Sequence, residues 1–247
     1  MPRPLVLVHG LSASSRWWEP SLPLLGRDRD VIAVDVPRYG RRFRPHETAA
    51  WLSGQIDHLA PVDLVGHSLG GLVCADLAAD RPDQVRRLVL VSPVGAPRSV
   101  FPLHELPPVA LARTAFRATP RLLLAMTTDA LRWGPEALLH GGLFATRETF
   151  SGSVAVPTLL VWGARDRLVP PELAAAWREL IPHARLELLS GARHVPMIET
   201  PRAFAQTLLG FLDAADVLDE PGDDGGVRPV DGMGCTADGD ELPGGDA

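Results

Sequence analysis

A serine hydroxyl is a poor nucleophile at neutral pH unless a base takes its proton and the backbone fixes its direction. Ser68 stands where both can be arranged. It lies in Gly66-His67-Ser68-Leu69-Gly70, after the apolar run Val62, Leu64, Val65 and before a small-residue stretch that continues to Ala79. That order reads as strand, tight turn, helix, and the glycines let strand and helix backbones approach where a Cβ would clash, with Gly71 extending the tolerance into the helix. A bare Gly-x-Ser-x-Gly also arises by chance in a Gly-rich chain, so the flanking elements give the motif its weight. Two further residues complete a set. Asp166 ends Gly163-Ala164-Arg165-Asp166 after the run Thr158 to Trp162, and His194 ends Gly191-Ala192-Arg193-His194 after Leu186 to Leu189. Acyl transfer needs an imidazole that removes a proton on attack and returns it to the leaving group. It also needs a carboxylate that holds the imidazole in one tautomer and stabilises its cation. His9 and His67 fall near the same edge as rivals for the base, but His67 adjoins the serine with its side chain expected to point elsewhere. His46, His58, His104, His140 and His183 read as surface or cap residues, and Asp35, at the end of another strand, as a brace for its own loop.

The elements that must position these side chains alternate. Apolar runs at Leu5 to Val8, at Val31 to Val34, at Val62, Leu64 and Val65, at Leu88 to Val91 and at Thr158 to Trp162 suit parallel strands covered on both faces. The last run, Leu186 to Leu189, carries Glu187 and reads as lying near a sheet edge. Helices are expected around Trp17, Trp18 and Leu22, at Glu47 to Leu59, after Ser68 as far as Asp80-Arg81-Pro82, at Glu172 to Leu180 and at Pro201 to Leu212. Strands alternating with helices predict an α/β fold, a mostly parallel central sheet of about six strands flanked by helices, with ligand sites beyond the strands' carboxyl ends. From Pro97 to Gly152 the alternation stops, and leucines at helical spacing between prolines read as a helical cap. The expected organisation is therefore a core of residues 1–96 and 153–213, a cap of 97–152, and a tail of 214–247.

The chain has 247 residues, 46% of them hydrophobic, enough for one sizeable core. Its net charge of -6 is unevenly spread. From Asp213 to the end there are eleven acidic residues against one basic residue, Arg228, so the remaining body is net positive. Rich in Gly and Pro and nearly free of aromatics, the tail is expected to be disordered. All 24 basic residues are arginine, without the clustering and aromatic interleaving that nucleic-acid binding uses. Cys74 and Cys235 offer no disulfide framework or metal spacing, and Cys74 reads as a small core residue. No apolar run is long enough to span a membrane, and the first strand begins too early for a secretion signal, so a cytoplasmic location is expected.

Taken together, His9-Gly10, Gly66-His67-Ser68-Leu69-Gly70-Gly71, Trp162-Gly163-Ala164-Arg165-Asp166 with Val169-Pro170, and His194-Val195-Pro196 with Glu199 resemble the α/β-hydrolase fold superfamily. The likeness is to its cap-bearing serine esterase branch, which includes carboxylesterases and carrier-protein methyl ester esterases, and it covers His9 to about Leu212. The resemblance implies Ser68 as nucleophile, His194 as base, Asp166 as its orienting acid, and the backbone N–H groups of Leu11 and Leu69 as oxyanion donors. It also implies that His9 braces its loop. Two departures stand out. Most members carry a strand pair before the His-Gly strand, which is missing from this sequence. The loop after the second strand reads Asp35-Val36-Pro37-Arg38-Tyr39-Gly40, with Arg38 where the family has glycine.

A cap of this kind implies an apolar acyl pocket, with Trp17, Met126, Leu139, Leu143, Phe144, Phe150 and Val195 as candidate lining, although the same residues would serve equally as cap core. Arg113, Arg117 and Arg121 recur at four-residue spacing and could meet an acidic acyl carrier protein; a solvated helix face, interrupted by Pro120, accounts for them as well. The expected activity is hydrolysis of a carboxylic ester, thioester or lactone of a small to medium apolar acyl substrate through an acyl-enzyme, with no cofactor and no metal. The same triad also serves carbon–carbon bond hydrolysis or perhydrolysis. A non-hydrolytic binding or tailoring protein on this scaffold is the reading from another class.

Overall fold

The computed structural model describes residues 4–26, 29–37, 44–97, 120–145 and 149–219, with the side chains of 121–122, 135–145 and 215–219 outside that description. Six strands form one sheet: β1 (Pro4–Val8), β2 (Asp30–Val34), β3 (Val62–His67), β4 (Val85–Val91), β5 (Thr158–Gly163) and β6 (Arg185–Leu189). Their order is β2-β1-β3-β4-β5-β6, and every neighbouring pair is parallel. β6 occupies an edge, as Glu187 suggested, and its side chains are largely exposed.

Strand side chains alternate between two helical layers because successive Cβ atoms point to opposite faces. Val6, Val8, Leu64, Leu88, Leu90, Leu160 and Trp162 join the layer formed by α2 (Pro45–Ile56), α3 (Leu69–Asp80) and α5 (Leu173–Leu180). Leu5, Leu7, Val65, Val89, Val91, Leu159 and Val161 face the other way. There they meet Trp18, Leu25 of the short α1 (Leu22–Leu25), and Phe204 and Leu208 of α7 (Pro201–Asp219), which follows the one-turn α6 (Pro196–Glu199). Both faces are apolar, which is why the strands read as unbroken hydrophobic runs rather than alternating ones. Helix α3 is buried almost all round, from Leu69 to Ala78, and its hydrophobicity accordingly has no strong side.

Two elements differ from the sequence expectation. The first helix is instead a 3₁₀ turn, Ser15–Trp18, followed by the single turn α1, because Pro20 and Pro23 deny a continuous helix its backbone donors. The last helix runs to Asp219, so the expected boundary after residue 213 falls within it. Residues 220–247 lie outside the described part, as do Arg38, Arg113 and Arg117. Helix α4 (Pro120–Ala145) spans part of the expected cap and is broken at Gly134, whose φ of 74° and ψ of 165° are not helical. Among the described residues, no helix is long and apolar enough to cross a membrane.

Candidate active site

The chain passes from β1 to β2 on one side and then to β3 on the other, so the sheet order reverses between the adjacent strands β1 and β3. Loops leaving such a pair diverge and open a crevice at the carboxyl ends. Register aligns Val8 with Gly66, which sets His9 and Gly10 beside His67 and Ser68. A Cβ on Gly66 would meet the Gly70 carbonyl at 2.6 Å, as a strand folding straight into a helix requires. A Cβ on Gly70 would instead strike the His9 and Val8 carbonyls, so the second glycine admits the neighbouring loop rather than its own strand.

Ser68 occupies φ 54° and ψ -117°, a region that non-glycine residues rarely adopt. Tertiary hydrogen bonds hold it there: its N–H donates to the Val91 carbonyl at 2.9 Å, and its carbonyl accepts from Val94 at 3.2 Å. Helix α3 starts at the next residue, so the Leu69 N–H is one of those at a helix start with no intrahelical acceptor.

His194 Nε2 lies 3.2 Å from Ser68 Oγ, and its Nδ1 lies 2.8 Å from Asp166 Oδ2. A carboxylate only accepts, so the proton sits on Nδ1 and the bare Nε2 is left to accept from the serine hydroxyl. Asp166 Oδ1 accepts from the N–H groups of Leu168 and Val169 at 2.9 and 3.0 Å, which turns the other oxygen toward the imidazole. All three side chains are buried. The loop bearing His194 is tied to β5's exit, with Arg165 N–H donating to the Ala192 carbonyl and Ala164 N–H to that of Leu189. Glu199 accepts from the Arg193 N–H at 2.5 Å, and burial raises its pKa above the ordinary carboxylate value.

The rival histidines have other partners. His67 donates from Nε2 to the His194 carbonyl at 2.8 Å, its ring 4.9 Å from the His194 ring. Burial, and secondarily the neighbouring His194, hold its pKa well below 6.5. His9 donates from Nδ1 to the Gly10 carbonyl at 2.8 Å and accepts at Nε2 from the Val36 N–H at 3.2 Å, so it braces two loops as a neutral ring; burial lowers its pKa as well. Asp35 accepts from the Ser15 N–H at 2.6 Å, so it braces the loop after β1 rather than its own. Burial pushes the Cys74 thiol pKa up, in keeping with a core residue.

Of the candidate pocket residues, Trp17, Met126 and Val195 are buried in one cluster on the α7 side of the sheet. Phe150 is not with them. It stacks on Trp177, ring centroids 5.5 Å apart, in the opposite layer, and is core there because β4 and β5 separate the two faces. The side chains of Leu139, Leu143 and Phe144 are outside the described part. Asp129 had no signal in the sequence beyond a charge among leucines, yet it is fully buried, accepting hydrogen bonds from Ser14 and Trp17. Among the described residues no cluster of His, Cys, Asp and Glu could hold a metal ion.

Residues 5–207 match the model of the Alpha/beta hydrolase family, which takes in both edges of the crevice and all three converging side chains. The chain belongs to that family. It is similar to the pimeloyl-[acyl-carrier protein] methyl ester esterase of Edwardsiella ictaluri, with 30% identity over 248 residues, 87% of this chain and 95% of that protein. The enzyme of the same name from Neisseria meningitidis serogroup B is 29% identical over 238 residues, 84% and 92% of the two chains. Among solved structures, a carboxylesterase from Bacillus subtilis superposes with a TM-score of 0.65 at 21% identity, covering 86% of this chain and 84% of that one, a likeness of fold.

Proposed function

We propose that this α/β hydrolase cleaves the carboxylic ester, thioester or lactone of a small to medium, largely apolar acyl group through an acyl-enzyme. Ser68 is the nucleophile. His194 takes its proton and returns it to the leaving group, and Asp166 keeps that imidazole in the receptive tautomer and stabilises its cation. The backbone N–H groups of Leu11 and Leu69 donate to the developing oxyanion, each worth about 2.7 to 4 kcal/mol in comparable sites. The observation that carries the reading is the hydrogen-bonded line from Asp166 through His194 to Ser68, ending on a serine held at positive φ. Esterase relatives at 29% and 30% identity over most of the chain favour ester hydrolysis, and their carrier-linked substrates make an acyl carrier protein a candidate partner. Residues 97–152 would roof the site as a cap on a core of 1–96 and 153–213, with Trp17, Met126 and Val195 against the acyl chain.

The test is a fluorophosphonate probe followed by p-nitrophenyl esters of increasing chain length, with wild type and Ser68→Ala side by side. Labelling and turnover that vanish together in Ser68→Ala support the proposal. A folded wild type that neither labels nor turns over any ester would sink it. Methyl esters of a dicarboxylic acyl chain, free and attached to a carrier protein, separate the carrier reading: a kcat/KM at least tenfold higher for the carrier-bound ester is the expected result if the protein docks a carrier.

A further inference from the structure

The loop that carries Leu11 is held from outside as well as by its own turns. It leaves β1 at Val8, turns at Leu11 and Ser12, the latter at φ 57°, and enters the 3₁₀ turn at Ser15. Besides His9 on the Gly10 carbonyl and Asp35 on the Ser15 N–H, three further grips come from more than a hundred residues away. Ser14 Oγ–H donates to Asp129 Oδ2 at 2.6 Å, and Trp17 Nε1–H donates to the same oxygen at 3.1 Å. One helical turn further along α4, Trp133 Nε1–H donates to the Ala13 carbonyl at 3.1 Å. Asp129 and Trp133 are four residues apart and share a helix face with Ala125, so one side of α4 is set against the loop. Asp129 has no exposed surface, its Oδ1 is buried without a hydrogen-bond partner, and no cation pairs with it among the described residues. A fold that needed only packing here would be better served by an apolar side chain, because burying an uncompensated carboxylate is expensive. Charge-assisted bonds to two donors are what the carboxylate adds, about twice as strong as neutral ones.

We infer that Asp129 is a positioning residue for the reaction proposed above: by holding Ser14 and Trp17 it keeps the Leu11 N–H aimed at the oxyanion. The donor is then in register only while α4 is seated on the loop, and the inference rests on the serine-hydrolase reading. Leu69, fixed by the elbow and helix α3, needs no such support. The oxyanion hole thus has one donor built into the core and one set from the cap side.

The experiment compares Asp129→Ala, Asp129→Asn and Ser14→Ala with wild type on one p-nitrophenyl ester. Inhibition by an aryl trifluoromethyl ketone, whose serine adduct bears an oxyanion, is measured in parallel. Asp129→Ala is expected to lower kcat at least tenfold with KM within about threefold, and to weaken the ketone by a similar factor, since the lost interaction belongs to the transition state. Asp129→Asn, which keeps an acceptor oxygen, falls between. The Ser14→Ala, Asp129→Ala double variant is expected to be little worse than Asp129→Ala alone, because that single already removes the Ser14 bond along with the Trp17 one. A loss confined to the melting temperature, or to KM with kcat within twofold, would overturn the assignment, as would additive losses in the double variant. Fluorophosphonate labelling separates the two levels: a wild type that labels while Asp129→Ala keeps its kcat defeats this assignment alone, and an unlabelled wild type defeats the serine reading and this assignment with it.

Discussion

The His194 imidazole has Nδ1 committed to Asp166 and Nε2 left to accept from Ser68, an asymmetry that in the proposed reaction lets it shuttle a proton. Asp166 commits Nδ1, and it can do so because Leu168 and Val169 have already fixed its other oxygen. In the proposed reaction, Asp166→Asn keeps the shape but can donate to Nδ1, favouring the tautomer that points a proton at Ser68. We expect kcat to fall by about 10⁴ with fluorophosphonate labelling slowed in parallel; a loss under tenfold would remove Asp166 from the role. His67 supports a second prediction, on stability. Its native pKa is depressed by burial, so it stays neutral in the fold while the unfolded chain can protonate below the ordinary value of 6.5. Its contribution is therefore complete above pH 6.5 and is lost as pH falls from there toward the depressed native value, by at most about 1.4 kcal/mol per pH unit. Urea unfolding between pH 7.5 and 5.5 should show a shallower acid decline in His67→Gln, which can still donate to the His194 carbonyl. His9, lowered for the same reason, supplies a similar decline that persists in that variant. Equal slopes in the two proteins would refute the assignment.

At the scale of elements, what matters is how closely backbones pass. Helix α3 lies against the loop after β1 with nothing between them at Gly70, and carbonyl oxygens of Val8 and His9 line the spot where a side chain would go. Backbone on both sides cannot yield as a flexible side chain would. Gly70→Ala is expected to cost ~3 kcal/mol in urea unfolding and to reduce labelling of Ser68, as overpacking separates the elbow from the Leu11 loop. Gly54 is the contrast. It sits inside α2 with open space where a Cβ would go, so Gly54→Ala should stabilise by about 0.5 to 1 kcal/mol through helix entropy alone. Opposite signs at two helical glycines are the result to look for, and equal effects would show that packing is not what distinguishes them.

Across the whole molecule, the proposed chemistry and a buried ion-pair cluster occupy opposite ends of the sheet. Asp63 is the second residue of β3, at its amino end, five residues or ~16 Å of strand from Ser68. It accepts from Arg29 at 3.3 Å and from Arg86, with Arg87 at 3.9 Å, and Arg29 reaches on to Asp213 of α7 at 2.6 Å. The segment entering β2, strands β3 and β4, and the last helix are thus joined through one fully buried carboxylate. Asp63→Asn leaves buried guanidinium charge with a weaker acceptor and is expected to cost ~3 to 5 kcal/mol in chemical denaturation, with kcat of the folded protein unchanged. Asp213→Ala, at an exposed carboxylate, should cost less than ~1 kcal/mol. A large change in kcat for Asp63→Asn would mean that the two ends of the sheet are coupled.

Ser68, Asp166 and His194 were legible in the chain because each sits in a short local pattern: a glycine-flanked turn after a strand, or a polar residue a few positions beyond an apolar run. Local backbone chemistry writes such patterns, so the strand-to-helix turn and the alternation that makes the sheet parallel follow from the sequence alone. Which face of the sheet a side chain joins is not written that way. Phe150 reads like any cap aromatic but stacks on Trp177 in the opposite layer, and Asp129 reads like a surface charge but is sealed against Ser14 and Trp17. Those outcomes depend on where α4 settles against the loop after β1 and where α5 settles against the sheet, a choice made by packing between layers rather than by any neighbour in the chain.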